Sequence, residues 1–166
     1  MRTILTTLLL LVLACPLWAG RSTVQLPSPY VDTPVGRFVH AIASAEGFGR
    51  KHALPTRYKN PGDLKAVEGF KYEGQIKVGK RKHVVFATDE DGWKALYRQI
   101  NLIAQGYSKH YTLDMTLQQM AKKYAGNWRA WSRNVSHNLG VPQSTTLKEL
   151  LYEPLESQSR TPGIPG

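Results

Sequence analysis

Apolar residues first fall at helical spacing in Val35, Phe38, Val39, Ile42 and Ala43, with Pro34 suited to a first helical position, Thr33 to its N-cap, and Gly47 and Gly49 to its end. From Arg57 to Lys65 turn-forming residues take over, and Asn60-Pro61-Gly62-Asp63 predicts a type II turn, with Pro second and Gly third. Phe70, Tyr72, Ile76 and Val78 then alternate with Lys71, Glu73, Gln75 and Lys77, the period of a half-buried strand; residues 79–82 turn and His83 to Ala87 return, which predicts a small hairpin. Trp93, Leu96, Tyr97, Ile100, Ile103 and Ala104 mark an amphipathic helix that stops at Gly106. Three shorter helices follow. Thr116 caps Leu117 to Tyr124, Asn127 caps Trp128 to Asn138 before Gly140, and Thr146 with Glu149 forms a capping box for Leu147 to Leu151. The order is helix, turn-rich loop, hairpin, then four helices, an α+β protein that is mainly α.

The ends read differently. Residues 1–19, with Arg2, the apolar run Ile4 to Ala14 and a small residue at Ala19, read as a secretory signal peptide whose apolar run is too short to span a bilayer. A lipoprotein route through Val12-Leu13-Ala14-Cys15 is the less favoured alternative because Pro16 sits badly after a lipidated cysteine, and membrane anchoring is expected only if Cys15 is lipidated. Residues 20–33 read as an extended lead-in, 34–153 as one folded domain and 154–166, rich in Pro, Ser and Gly, as a disordered tail.

Charge narrows the partners. Removing residues 1–19 takes away Arg2 alone of the 22 basic residues and none of the 12 acidic ones, leaving 21 against 12, or +9. A strongly basic protein outside the cytoplasm points to an anionic wall or membrane surface, and nucleic acid is not expected as a partner. Loss of Cys15 with the signal would remove the single cysteine, and with it any disulfide or thiolate chemistry. The five histidines are scattered, with no H-E-x-x-H pair, so neither a metal nor a cofactor is expected. "SAEGFG" is not the G-x-S-x-G elbow of a serine hydrolase.

Glu46 is the residue with chemistry in view. It lies four residues after Ile42, on the apolar face, at the negative end of the helix dipole; dipole and burial both raise its proton affinity, which suits a general acid. Pairing with Arg50 or Arg57 would oppose this. Glycoside cleavage commonly needs a second carboxylate. Glu73, Glu68 and Asp63 are candidates, each in a setting where a carboxylate is more often simply solvated. With one acid alone, the substrate's own N-acetyl group would supply the nucleophile. Trp93 and Tyr97 read as core, whereas Trp128, Trp131, Tyr107 and Tyr111, on shorter and more polar segments, are candidates to stack on sugar. The basic run from Lys77 to His83 reads as a solvated hairpin tip, or else as a patch for an anionic polymer.

"AIASAEGFG", "PTRYKNPGDLK", "VFATDEDGWKALYRQI", "MTLQQMAKKYAGN", "NLGV" and "TTLKEL", taken together over residues 36–151, resemble the phage-type peptidoglycan lytic enzymes of the lysozyme-like superfamily, relatives of the lytic transglycosylases. The resemblance implies a lysozyme-like fold, a cleft between helices and hairpin, and Glu46 as general acid and then base on the bond after N-acetylmuramic acid. It implies that Arg57 and Asn60 shape the cleft and that Tyr124 lies near the reacting sugar; Lys59 stands where the family commonly has Asn. With Glu73 and Trp131 added, the expected substrate-binding set is Arg57, Asn60, Glu73, Tyr124 and Trp131. The partner implied is the glycan strand of peptidoglycan, bound by a secreted or periplasmic monomer, as lytic transglycosylase or muramidase. The alternative is a non-catalytic wall-binding protein with the same fold.

Overall fold

The computed structural model describes residues 32–152; the signal peptide expected at 1–19, most of the lead-in expected at 20–33, and the tail expected at 154–166 lie outside the described residues. The protein is α+β and mainly helical. Its elements run α1 (Pro34–Glu46), α2 (Leu54–Arg57), β1 (Gln75–Val78), β2 (Val84–Phe86), α3 (Asp89–Ala104), α4 (Leu117–Tyr124), α5 (Trp128–Leu139) and α6 (Leu147–Tyr152).

Local chemistry sets the boundaries. Thr33 Oγ1 accepts the Gly36 amide at 3.0 Å and Pro34 opens α1. At the other end Gly47 adopts a left-handed φ of 81°, which lets the Phe48 amide reach back to the Ala43 carbonyl at 2.9 Å and close the last turn. Capping boxes open α3 (Thr88 with Asp91), α4 (Thr116 with Gln119) and α6 (Thr146 with Glu149). Helix α1 is the central element and packs on α3, α5 and α6. Its Phe38, Val39 and Ile42 meet Leu96, Ile100 and Ile103 of α3, Val135 of α5 and Leu147 of α6 in one fully enclosed core.

Three expectations need correction. The segment 54–57, expected as loop, makes a one-turn helix, because Pro55 fits an early helical position. The turn at residues 60–63 closes as expected, with the Asp63 amide 3.0 Å from the Asn60 carbonyl, but it is not type II: the left-handed φ belongs to Asp63 (48°) rather than to Gly62. Gly62 is needed for room, since a Cβ there would lie 2.7 Å from Leu96 Cδ1. The hairpin is also shorter than the alternation implied. Gly74, at φ 69°, interrupts the run, and the two strands pair antiparallel with a bulge between Gln75 and Lys77. The buried strand is β2; Ile76 and Val78 of β1 stand 60 % and 49 % exposed.

The first turn of α3 lies directly on the loop before β1. A Cβ on Gly92 would sit 1.9 Å from the Lys59 carbonyl oxygen. Gly92→Ala is therefore expected to destabilise the fold by about 1–3 kcal/mol in urea unfolding, although alanine is intrinsically the better helix former. A gain in stability would refute this close contact.

Candidate active site

The C-terminus of α1, the 62–65 loop, the hairpin side chains Arg81 and His83, and the facing parts of α4 and α5 enclose a cleft of about 680 Å³. Glu46 reaches it as the last residue of α1, on the edge of the stripe that fills the core. Trp131 of α5 donates its indole N–H to Glu46 Oε1 at 2.8 Å. That bond occupies Oε1, so a proton on this carboxyl resides on Oε2.

Burial raises the Glu46 pKa first, the Asp63 charge raises it further, and the Trp131 bond partly opposes both; the result is about 7. Neither Arg50 nor Arg57 is among the groups acting on it, so the expected competition from arginine does not arise.

The loop wall is built from the inside by Asn60. Its side chain is fully buried: Nδ2 donates to the carbonyls of Leu64 (2.9 Å) and Val84 (3.0 Å), and Oδ1 accepts the Leu64 amide (2.8 Å). All three of its hydrogen bonds go to backbone and the side chain is buried, so Asn60 shapes the cleft and does not face a ligand. Beyond it, the Gly62 carbonyl accepts the hydroxyl of Tyr124 at 2.6 Å, joining the end of α4 to the loop. Burial, then the Glu46 carboxylate, holds the Tyr124 phenol far above its ordinary range. Its ring lies 4.9 Å from that of Trp131.

Two other expected contacts are absent. Arg57 is exposed at the end of α2, outside the cleft lining. Glu73 lines a separate groove with Asp91, Lys94 and Arg98, because the turn around Gly74 carries it to the far side of the hairpin. Trp131 is in the cleft but 4 % exposed, a partner for Glu46 rather than a surface for sugar. Tyr107 is 73 % exposed outside the cleft, and the Trp128 ring, also outside the cleft lining, carries the cations of Lys122 and Arg129 over it. Lys59 reaches over to the Ala87 carbonyl and so ties the loop to the hairpin's end.

The structure gives Asp63 and Tyr111, which the sequence offered only as candidates, their places in the cleft, and adds His83, Tyr72 and Lys123, which sequence reasoning left aside as site residues. Asp63 projects into the cleft, with His83 Nδ1 2.9 Å from its Oδ1 and 3.1 Å from its backbone carbonyl. Tyr72, Tyr111 and Lys123 also line it. The turn motif marked Asp63, but only the return strand β2 shows which partner it meets.

In comparison with known proteins, no family model matches the chain, and neither a curated protein nor a solved structure matches it. No group of three or more His, Cys, Asp or Glu side chains able to hold a metal is found among the described residues.

Glu46 binds its proton more tightly in the folded chain (about 7) than at the ordinary value of 4.5, so its contribution to stability is fully present below 4.5 and is lost as pH rises through 7. Glu46→Gln, which keeps an oxygen for Trp131, should therefore be more stable than the parent at pH 8, by an upper bound of about 3 kcal/mol, and equal to it near pH 4. Denaturant unfolding of both proteins across this range checks the sign; equal stability at pH 8 would show that Glu46 is not held protonated.

Proposed function

We propose that this protein cleaves the glycan strands of peptidoglycan, with Glu46 protonating the glycosidic oxygen. The observation that carries the reading is a carboxyl with its pKa raised to about 7 at the wall of a cleft large enough for sugar, with one oxygen tied to Trp131 and the other free to donate. The order of helix, loop, hairpin and further helices is compatible with a lysozyme-like fold. The resemblance of residues 36–151 to phage-type lytic enzymes, the basic charge and the signal-like leader support the substrate, and favour a secreted or periplasmic protein.

On this reading a strand lies along the cleft with its scissile bond over Glu46. Proton transfer from Oε2 lets the bond break as positive charge develops on the sugar ring. Trp131 holds the carboxyl through Oε1, and Tyr124 holds the loop wall at a set distance from the end of α4 through Gly62. The Glu46 carboxylate left behind can then act as base.

Purified protein without residues 1–19, incubated with sacculi, should release soluble muropeptides, and Glu46→Gln should lower the rate by about 10²–10⁴-fold while leaving binding to sacculi intact. Activity should decline as pH rises through about 7, where Glu46 loses its proton. Equal release by the two proteins would refute the assignment, and binding without any release would point to the wall-binding alternative.

A further inference from the structure

Glu46 is not the sole acid of the cleft. Asp63 lines it too, in the middle of a turn anchored from beneath by Asn60, and His83 reaches it from the start of the return strand. His83 is buried, and its Nδ1 faces two acceptors, the Asp63 carboxylate and the Asp63 carbonyl. With Asp63 ionised, Nδ1 is thus the nitrogen that carries the proton; its hydrogen bond goes to the carbonyl, and the 2.9 Å approach to Oδ1, which accepts no hydrogen bond, is an ion-pair contact that sets where the carboxylate lies. The other acidic side chains of this region point elsewhere: Glu73 is on the far side of the hairpin and Glu68 is outside the lining.

We infer that Asp63, aligned by His83, is a second catalytic carboxylate, the base that takes a proton from the water attacking the sugar carbon, so that the protein is a hydrolase and leaves reducing ends. This rests on the reading of Glu46 as proton donor. Glu46 gives its proton to the glycosidic oxygen, and the carbon–oxygen bond breaks with its electron pair passing to that oxygen. A water oxygen bonds to the sugar carbon as Asp63 takes one of its protons. One sugar ends with a C1 hydroxyl and the other with a C4 hydroxyl; Asp63 then releases its proton to solvent and Glu46 regains one. Without a base for water, the competing outcome is attack by the muramic C6 hydroxyl, with the Glu46 carboxylate taking that proton and a 1,6-anhydro end forming.

The charged and titratable groups that line the cleft with Asp63 come from every wall: Lys65 on its own loop, Tyr72, Arg81 and His83 from the hairpin and its approach, Tyr111 before α4, Lys123 and Tyr124 from α4, and Glu46 from α1. Burial is the largest effect and leaves the proton affinity of Asp63 above its ordinary value, while His83 and Lys65 oppose it and favour the ionised form that a base requires.

A purely structural role is separable. Asp63 sits at a left-handed φ of 48°, a conformation that Asn adopts as readily as Asp. Asp63→Asn therefore keeps the turn and removes only the carboxylate. Digests of sacculi, reduced with borohydride and resolved by mass, should show reducing ends from the parent. Asp63→Asn should form them about 10²-fold or more slowly, with anhydro ends becoming the larger share. The alkaline limb of its residual activity should move to lower pH, because the Asp63 charge no longer supports the Glu46 proton. His83→Asn, which offers an amide N–H in place of Nδ1, should retain activity that His83→Ala loses, with circular dichroism confirming the fold of each. Reducing ends formed by Asp63→Asn at the parent's rate, or anhydro ends alone from the parent, would overturn the base role and leave Glu46 as donor. Undiminished cleavage by Glu46→Gln would overturn both.

Discussion

The buried carboxamide of Asn60 is the constraint on which the cleft depends. Three hydrogen bonds to backbone hold the loop through Leu64 against the return strand through Val84. Each is of the kind whose loss leaves a buried group unsatisfied, at about 1–3 kcal/mol apiece. The loop has little else to organise it: it contains no regular element, and its neighbours Lys59 and Asp63 both adopt left-handed backbone. Fixing Leu64 and Val84 at Asn60 fixes where Gly62 offers its carbonyl to Tyr124 and where Asp63 meets His83. Two short strands, too small to be stable alone, thereby become a rigid wall.

The opposite wall is rigid for another reason. Helix α1 supplies Phe38, Val39 and Ile42 to the enclosed core and ends in Glu46, so the acid is attached to the best-packed element of the protein. Its cap at Gly47 fixes where the helix stops, and Trp131, itself buried, fixes the carboxyl. Holding an acid in such surroundings carries a stability cost at neutral pH, a strain of the kind that functional sites retain.

The helices were legible because their signals are local. Thr33, Thr116, Asn127 and Thr146 cap as their spacing implies, and Gly47 and Gly140 end helices in the left-handed conformation. Glu46 was legible for the same reason, since a helix end and an apolar stripe place it without knowledge of the rest. The hairpin was not, because alternation says which residues share a face and not whether anything covers it: β2 is covered by the core, whereas Ile76 and Val78 are left exposed. Site residues that depend on distant partners were named from the sequence without the roles the structure gives them. Asn60 reads as a turn residue until Val84 lies over it, Trp131 as a sugar platform until it meets Glu46, and Asp63 as a solvated charge until His83 arrives from twenty residues away.

The two carboxylates of the cleft differ in what compensates their burial. Glu46 meets an indole N–H and a like charge, and the balance leaves it at about 7, poised to hold a proton. Asp63 is buried as well, but it has an imidazole against its oxygen and Lys65 nearby, both of which favour the anion. Burial still leaves the proton affinity of Asp63 above its ordinary value, so the division of roles between donor and acceptor rests on the imidazole and lysine beside Asp63, which Glu46 lacks. Each sustains the other, because the Asp63 charge is one of the two causes that hold the Glu46 proton in place. On the proposed reading, the loop wall built on Asn60 therefore acts twice: it positions an acceptor for water, and through the field of that acceptor it keeps the donor on α1 charged with its proton.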